Sequence, residues 1–414
     1  MDNSTEKKKW TIMTYMAGDN DLDINGVIDL KEMKKTGSTH DVNVIVQFDR
    51  AGEDLQTKRY YLQKGTSLNT DAVQSIDETN TGSPDSLIDF INWGLTNYPA
   101  DHYLLILWNH GQGWDDTDIY AGERGIGARL MRPGRVRHAF FKTSVEQAAK
   151  LSAKNKTQER AILLDDDAKD FLDNLEMKKV LRATKKILGR KLDILGMDAC
   201  LMNMAEVGYQ VKDSVLYTVG SEETEPLDGW PYDTILSALY RQSDMLPTDL
   251  SKLIVRHYID SYKGSGEAVT QSALDMSVSP VLASAVKSLV AALKAGLKNS
   301  TTRMAIANAR NRVQEYDIPD NIDLVDLCQL LKGSSIPVTM KSACDQVIAA
   351  IQGNSGFVIS SGYYGATMRR SNGVAIYFPT RIVSPLYSRL DFVKKTGWGT
   401  FLKAYINATR SRKG

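Results

Sequence analysis

Short runs of apolar residues recur along the chain, and between them apolar positions return every three or four residues. The runs predict β-strands at 10–17, 42–48, 59–63, 103–108, 161–164, 192–197 and 215–220, then at 272–276, 357–360 and 374–378. The helical periodicity falls at 24–35, 84–98, 170–188, 201–212 and 248–263, then at 281–297 and 338–352. Alternation of apolar strands with amphipathic helices predicts an α/β fold, with a mostly parallel sheet, helices on both faces and right-handed crossovers. Residues 121–160 break the pattern. They carry ten Lys and Arg against three Glu, with Gly122, Gly125, Gly127 and Pro133-Gly134, and read as an exposed, mobile surface segment.

Composition narrows the class. A chain of 414 residues has room for one large α/β domain, expected over 1–264, and a C-terminal region, 265–414, that completes the sheet and adds a small subdomain. Hydrophobic residues make up 42% and charged residues 24%, as in ordinary globular proteins. With 51 Lys and Arg against 50 Asp and Glu, no net field draws in nucleic acid or an anionic membrane. In the basic segment only Phe140 and Phe141 could stack on bases, so no nucleic-acid partner is expected. No apolar run approaches the roughly eighteen residues of a membrane span, so no membrane contact is expected either. The first residues include Lys7-Lys8-Lys9 but no apolar signal-peptide core. A cytoplasmic location is expected for the chain as it stands, an exported one for a chain already trimmed. Cys200, Cys328 and Cys344 form no disulfide framework. Cys328 and Cys344 could bridge, although two buried thiols are the expectation.

Two runs end in reactive residues. Tyr103-Leu-Leu-Ile-Leu-Trp-Asn-His110-Gly111 stops abruptly at His-Gly, and Leu192-Asp-Ile-Leu-Gly-Met-Asp198-Ala-Cys200 stops at Asp-Ala-Cys. Open α/β sheets bind ligands at the carboxyl ends of their strands. If the two strands are neighbours, a nucleophile and its acid/base partner meet there. A lone His at a strand end, or a lone Cys, is more often structural, so the pairing carries the inference. Cys200 precedes the predicted helix 201–212, whose N-terminus would lower the thiol pKa. Gly111 admits a substrate backbone, and the N–H groups of Gly111 and Cys200 are candidates for an oxyanion hole.

These blocks resemble the clan of caspases, legumains, gingipains and separases, and within it the clostripain family, peptidase family C11. The likeness rests on Trp10-Thr-Ile-Met-Thr-Tyr-Met-Ala-Gly-Asp-Asn-Asp-Leu22, on Leu107-Trp-Asn-His-Gly-Gln-Gly-Trp114 and on Asp193 to Glu206. Gly220-Ser-Glu-Glu-Thr-Glu-Pro-Leu-Asp-Gly-Trp-Pro-Tyr232 and Ser371-Asn-Gly-Val-Ala-Ile-Tyr-Phe-Pro379 extend it nearly to the C-terminus. The resemblance implies a caspase-like α/β/α sandwich, a Cys200–His110 dyad without an obligatory third member, and no organic cofactor. It also implies cleavage after Arg or Lys. Asp198 and Asp228 match the family's substrate-binding carboxylates, which would pair with a basic side chain. Asp228 before Gly229 could equally be a turn residue, and Asp198 a cap on the following helix. Self-cleavage is expected between Arg124 and Lys142, giving two chains that stay together in a monomer; clostripain's processing to two chains points the same way. Partners would be peptides or proteins with exposed Arg or Lys. A catalytically silent binding relative and an acyl-transferring transpeptidase are the alternatives.

Asp21-x-Asp23-x-Asn25-Gly26 with Glu32 matches an EF-hand loop, and the calcium dependence of clostripain makes Ca2+ a possible cofactor. An EF-hand needs a helix before its loop, however, and here a strand precedes it. Ile28, Leu30 and Met33 fit one continuing amphipathic helix instead. Asp115-Asp116 and Asp165-Asp166-Asp167 are other possible calcium ligands.

Overall fold

The computed structural model describes residues 7–52, 56–115 and 162–410, so the basic segment 121–160 lies outside the described residues. In chain order the strands are β1 (Lys8–Gly18), β2 (Val42–Arg50), β3 (Lys58–Tyr61), β4 (Ala72–Ser75), β5 (Ala100–Trp108), β6 (Ile162–Asp165) and β7 (Asp170–Leu172). Then come β8 (Leu192–Asp198), β9 (Val215–Gly220), β10 (Val269–Asp275), β11 (Asn321–Asp323), β12 (Val358–Tyr364) and β13 (Ala375–Tyr377). Nine of them form one sheet in the order β12-β10-β9-β8-β5-β1-β2-β3-β4. The five central strands are parallel, and only β3 and β10 run against the common direction. β10 and β12 come from beyond residue 264.

The central strands are mostly apolar and buried along most of their length because both faces are covered. Helix α1 (Asp23–Thr36) lies on one face: a Cβ at its Gly26 would strike Phe48, with Met16 nearby. Helix α2 (Pro84–Asn97) lies on the other, where a Cβ at Gly94 would touch Ile45 and Met13. Met13 and Met16, and Ile45 and Phe48, sit three residues apart on a strand and so point to opposite faces.

Two predicted helices are shorter than expected. Helix α3 (Asn174–Leu188) starts at a capping box, in which Asp173 accepts the Glu176 N–H at 2.7 Å and Glu176 accepts the Asp173 N–H at 3.1 Å. Residues 170–172 before it are β7, paired with β6. Helix α4 (Ala205–Val211) begins four residues later than predicted. Leu201 has a left-handed φ of 64°, and Asn203 is clamped by its side chain to the carbonyls of Gly220 (2.9 Å) and Ser272 (2.8 Å). Those bonds hold residues 201–204 out of the helix.

The C-terminal region is helical around α5 (Ser279–Gly296), against which Val338–Gln352 and Trp398–Arg410 pack. With its preceding turn, Met276–Gly296 is 21 residues long with mean hydropathy 1.6, enough to cross a membrane by length and composition. The sequence expectation of no such run is corrected on that point. Half of its apolar window is buried inside the protein, as in a core helix. All three cysteines are free and buried.

Candidate active site

β5 and β8 are parallel neighbours, with Trp108 opposite Asp198. His110 and Cys200 each stand two residues beyond that last pair, and the Asn109 N–H donates to the Asp198 carbonyl at 3.3 Å. The tips also touch beyond the strands. A Cβ added to Gly111 would lie 2.5 Å from the Cys200 carbonyl oxygen, and one at Gly113 2.7 Å from that of Leu201. Glycine is required at 111 by this approach, and at 113 also by a φ of +66°. Thus the sequence-predicted His110, Gly111 and Cys200 do meet at one rim.

His110 is buried, and its Nε2 lies 2.7 Å from Asp21 Oδ1. Asn109 fixes the preceding turn: its amide donates to the carbonyls of Ala17 and Leu164, and its Oδ1 accepts the N–H groups of Leu164 (3.1 Å) and His110 (2.5 Å).

Cys200 is fully buried. Its sulfur accepts the Glu225 N–H at 3.4 Å. Burial pushes the thiol well above its usual pKa, the Glu225 bond opposes this, and the carboxylates of Glu225, Glu223 and Asp317 push it further up. The expected thiolate at a helix N-terminus is therefore corrected. The helix starts at Ala205 with Met204 as its cap residue, too far along for its dipole to serve Cys200 or for Asp198 to cap it.

Asp198 lies beneath the loop that carries Asp228. Its carboxylate accepts the Tyr232 hydroxyl at 2.6 Å and the Trp230 N–H at 3.4 Å. Burial pushes its pKa up, against hydrogen bonds from Glu225, Tyr232 and Trp230. Two further carboxyls crowd the same place. Asp29, on α1, accepts the Trp108 indole N–H at 2.7 Å, and burial and then Asp198 hold its pKa well above the carboxylate range, with Glu32 and Asp228 adding to it. Glu225 is raised by burial, then by the Asp198 charge and by hydrogen bonding to Asp198. A Cβ at Gly229 would lie 3.3 Å from both Asp198 carboxylate oxygens and 3.6 Å from Asp29 Oδ2, and its φ of +52° favours glycine where the loop passes over them. Asp228 itself is exposed at the turn, whose Gly229 N–H donates to the Pro226 carbonyl at 2.9 Å. Both predicted carboxylates reach one acidic patch, one as floor and one as rim.

Sequence reasoning missed Asp29 and Glu225. For Asp29 the signal was present: Gly26, Asp29, Leu30 and Met33 are the buried face of α1, at helical spacing, whereas Ile24 and Ile28 are exposed. Of the three apolar positions that marked the continuing helix, Leu30 and Met33 are buried and Ile28 is exposed.

The EF-hand pattern holds no cation-binding geometry. Asp21 engages His110, Asp23 makes a bidentate pair with Arg50 (2.8 and 2.7 Å), and Asn25 donates to the Leu227 carbonyl at 3.4 Å. Asp165 accepts from the Thr81 N–H (2.8 Å) and hydroxyl (3.1 Å) and from the Ala168 N–H (2.7 Å). Asp116 lies outside the described residues, and among the described residues no group of three or more His, Cys, Asp or Glu is arranged to hold a metal ion.

Comparison with known proteins adds three findings. The sequence model of the clostripain family, Peptidase C11, matches residues 14–128 and 148–405. Clostripain from Hathewaya histolytica is 30% identical over 235 residues, a stretch that covers 51% of this chain and 37% of that relative. The chain therefore spans little more than a third of the curated relative it matches. Among solved structures, a secreted C11 cysteine protease from Bacteroides thetaiotaomicron, in complex with an irreversible peptide inhibitor, superposes with a TM-score of 0.64 at 19% identity, over 94% of this chain and 99% of that one. An inactive zymogen C11 protease from Parabacteroides distasonis gives 0.62 at 19% identity, with 94% and 99% covered. These likenesses make the fold a caspase-like α/β/α sandwich.

Proposed function

The chain belongs to the clostripain family of C11 peptidases, and from that premise we propose that it is a cysteine endopeptidase cleaving after Arg or Lys. One observation carries the proposal: β5 and β8 are paired so that the tips bearing His110 and Cys200 end side by side, with Gly111 against the Cys200 carbonyl. Cys200 Sγ attacks the carbonyl carbon, and its proton goes to His110. His110 then protonates the amine as the C–N bond breaks, and later takes a proton from the water that releases the acyl group. The N–H groups of Gly111 and Cys200 are the candidates to bind the oxyanion. Asp198 below and Asp228 above supply negative charge for a basic side chain, and Asp29 and Glu225 add carboxyls to the floor. A guanidinium or ammonium beside these carboxyls would favour their charged forms.

Self-cleavage between Arg124 and Lys142 belongs to the same proposal. Support comes from the density of Arg and Lys there and from a thiol that is buried in the uncut chain. The buried thiol also favours the rival, a silent binding protein. A fluorogenic peptide panel varying only the residue before the scissile bond, with and without calcium, separates them. Turnover of Arg and Lys substrates alone, lost in Cys200→Ala, is expected. An inert wild type with no Cys200 adduct from an Arg-directed electrophile would establish the silent reading. On a denaturing gel the wild type should give two fragments and Cys200→Ala one band. An intact, fully active wild type would refute self-processing.

A further inference from the structure

We propose that Asp21 is a positioning residue for His110, holding the imidazole through Nε2 so that Nδ1 is the atom that carries the proton. The inference rests on the peptidase function above and extends the dyad to a Cys200–His110–Asp21 triad.

The contact is 2.7 Å, the length of a charge-assisted hydrogen bond, and it joins an imidazole that is 3% exposed to a carboxylate that is 35% exposed. Burial alone disfavours a charged imidazole, and an adjacent carboxylate restores it. Burial also pushes the Asp21 carboxyl up, but the charge and hydrogen bond of His110 outweigh it and the net displacement is downward.

The two loops are built to hold this pair together. Asn20 donates to the carbonyls of Ala17 (3.0 Å) and Leu164 (2.9 Å), and its Oδ1 accepts the Leu22 N–H at 2.9 Å, forming the turn that presents Asp21. Asn109, the residue before His110, donates to the same two carbonyls. One asparagine in each loop, each adjacent to one member of the pair, grips a common anchor. A loop that needed only to be pinned would have no use for the carboxylate beyond these clamps.

During acylation Nδ1 receives the proton of the Cys200 thiol as the C–S bond forms, and gives it to the amine nitrogen as the C–N bond breaks. Nε2–H stays on Asp21 throughout, and the carboxylate stabilises the imidazolium without taking its proton. Cys200 ends the neighbouring strand tip, where Gly111 meets its carbonyl, and Glu225, Glu223 and Asp317 are the charged groups that act on its thiol.

Asp21→Asn keeps the shape and one acceptor but removes the charge. In histidine-labelled protein, followed by NMR with His110→Gln to assign the resonance, the His110 titration should move down by about one unit in Asp21→Asn. In processed enzyme kcat/KM should fall about a hundredfold with little change in KM. The pH limb set by loss of the imidazolium proton should move down by the same unit, and Asp21→Glu should restore part of both. A titration and pH limb identical to wild type would overturn the proposal and leave Asp21 as a loop anchor. A wild type that cleaves no peptide would defeat the peptidase function, while the titration would still decide the role of Asp21.

Discussion

The two strand tips are alike in backbone and opposite in electrostatic condition. Each lies two residues beyond the Trp108–Asp198 pair, and each is buried. His110 has a carboxylate at bonding distance that favours its charged form, whereas the Cys200 thiol is buried among carboxylates that disfavour its own. In the proposed dyad, the acid/base partner has its carboxylate in place, while burial disfavours the thiolate. The loop of residues 221–230 supplies the N–H that holds the sulfur and two of the three carboxylates that act on it, Glu225 and Glu223.

The sharpest test removes each tip in turn. Cys200→Ala and His110→Ala should each lower kcat/KM at least about a thousandfold, and the double variant little more, because the two groups act as a unit. Additive losses in steady-state assays would show that the tips do not work together.

Next in size is the acidic patch. Asp198→Asn should lower kcat/KM for Arg substrates about a hundredfold, because it removes a buried charge, whereas Asp228→Ala should cost about tenfold or less from its exposed position. Kinetics on paired Arg and neutral substrates measure this, and the reverse ranking would move the specificity pocket outward to the rim.

The thiol itself gives a smaller effect. In the uncut wild-type chain, iodoacetamide should label Cys200 at neutral pH at least about tenfold more slowly than a solvated cysteine, and faster once the chain is processed. Peptide mapping of the adduct reads the rate; equal rates before and after processing would mean that the suppression is not relieved by cutting.

The mildest prediction concerns carboxyls behind the 221–225 loop. Burial lifts Glu222 to about 8, helped by Asp323, and burial lifts Asp323 to about 7; the Tyr316 hydroxyl lies 3.2 Å from each. Their folded-state pKa values are raised, so the folded protein holds protons that the unfolded chain has released. Stability is then fully present below the ordinary carboxylate range and is lost as pH rises through 7 to 8, by at most about 1.4 kcal/mol per pH unit for each group. Urea midpoints should fall between pH 5.5 and 8, and Glu222→Gln with Asp323→Asn should flatten the slope. A midpoint independent of pH in the wild type would show these groups to be ionised.

Elements with one dominant local cause were legible in the sequence. β1, β2, β5, β8 and β9 are predominantly apolar runs, and the pattern at the ends of the His and Cys strands raised the question of their adjacency, which the sheet order answers. Residues 201–204 were not legible as a non-helical segment, because the Asn203 clamp to Gly220 and Ser272 is tertiary. Asp29 was hidden by the habit of assigning an acidic residue on a helix to solvent, although its spacing from Gly26, Leu30 and Met33 puts it inside. The suppressed thiol depends on Glu225, which is 25 residues away in sequence and meets the sulfur only through the fold.

The strand order also divides the main sheet into two sets of strands that are contiguous in sequence. On one side of the β5–β8 seam stand only β1 to β5, and on the other only strands that follow residue 161. The histidine belongs to the first set and the cysteine to the second. Expressed separately, each half would be inert, and mixing them would restore turnover with a rate that depends on the concentration of both. A substrate or inhibitor that spans the seam would then act as an adhesive between halves, raising the affinity of one for the other.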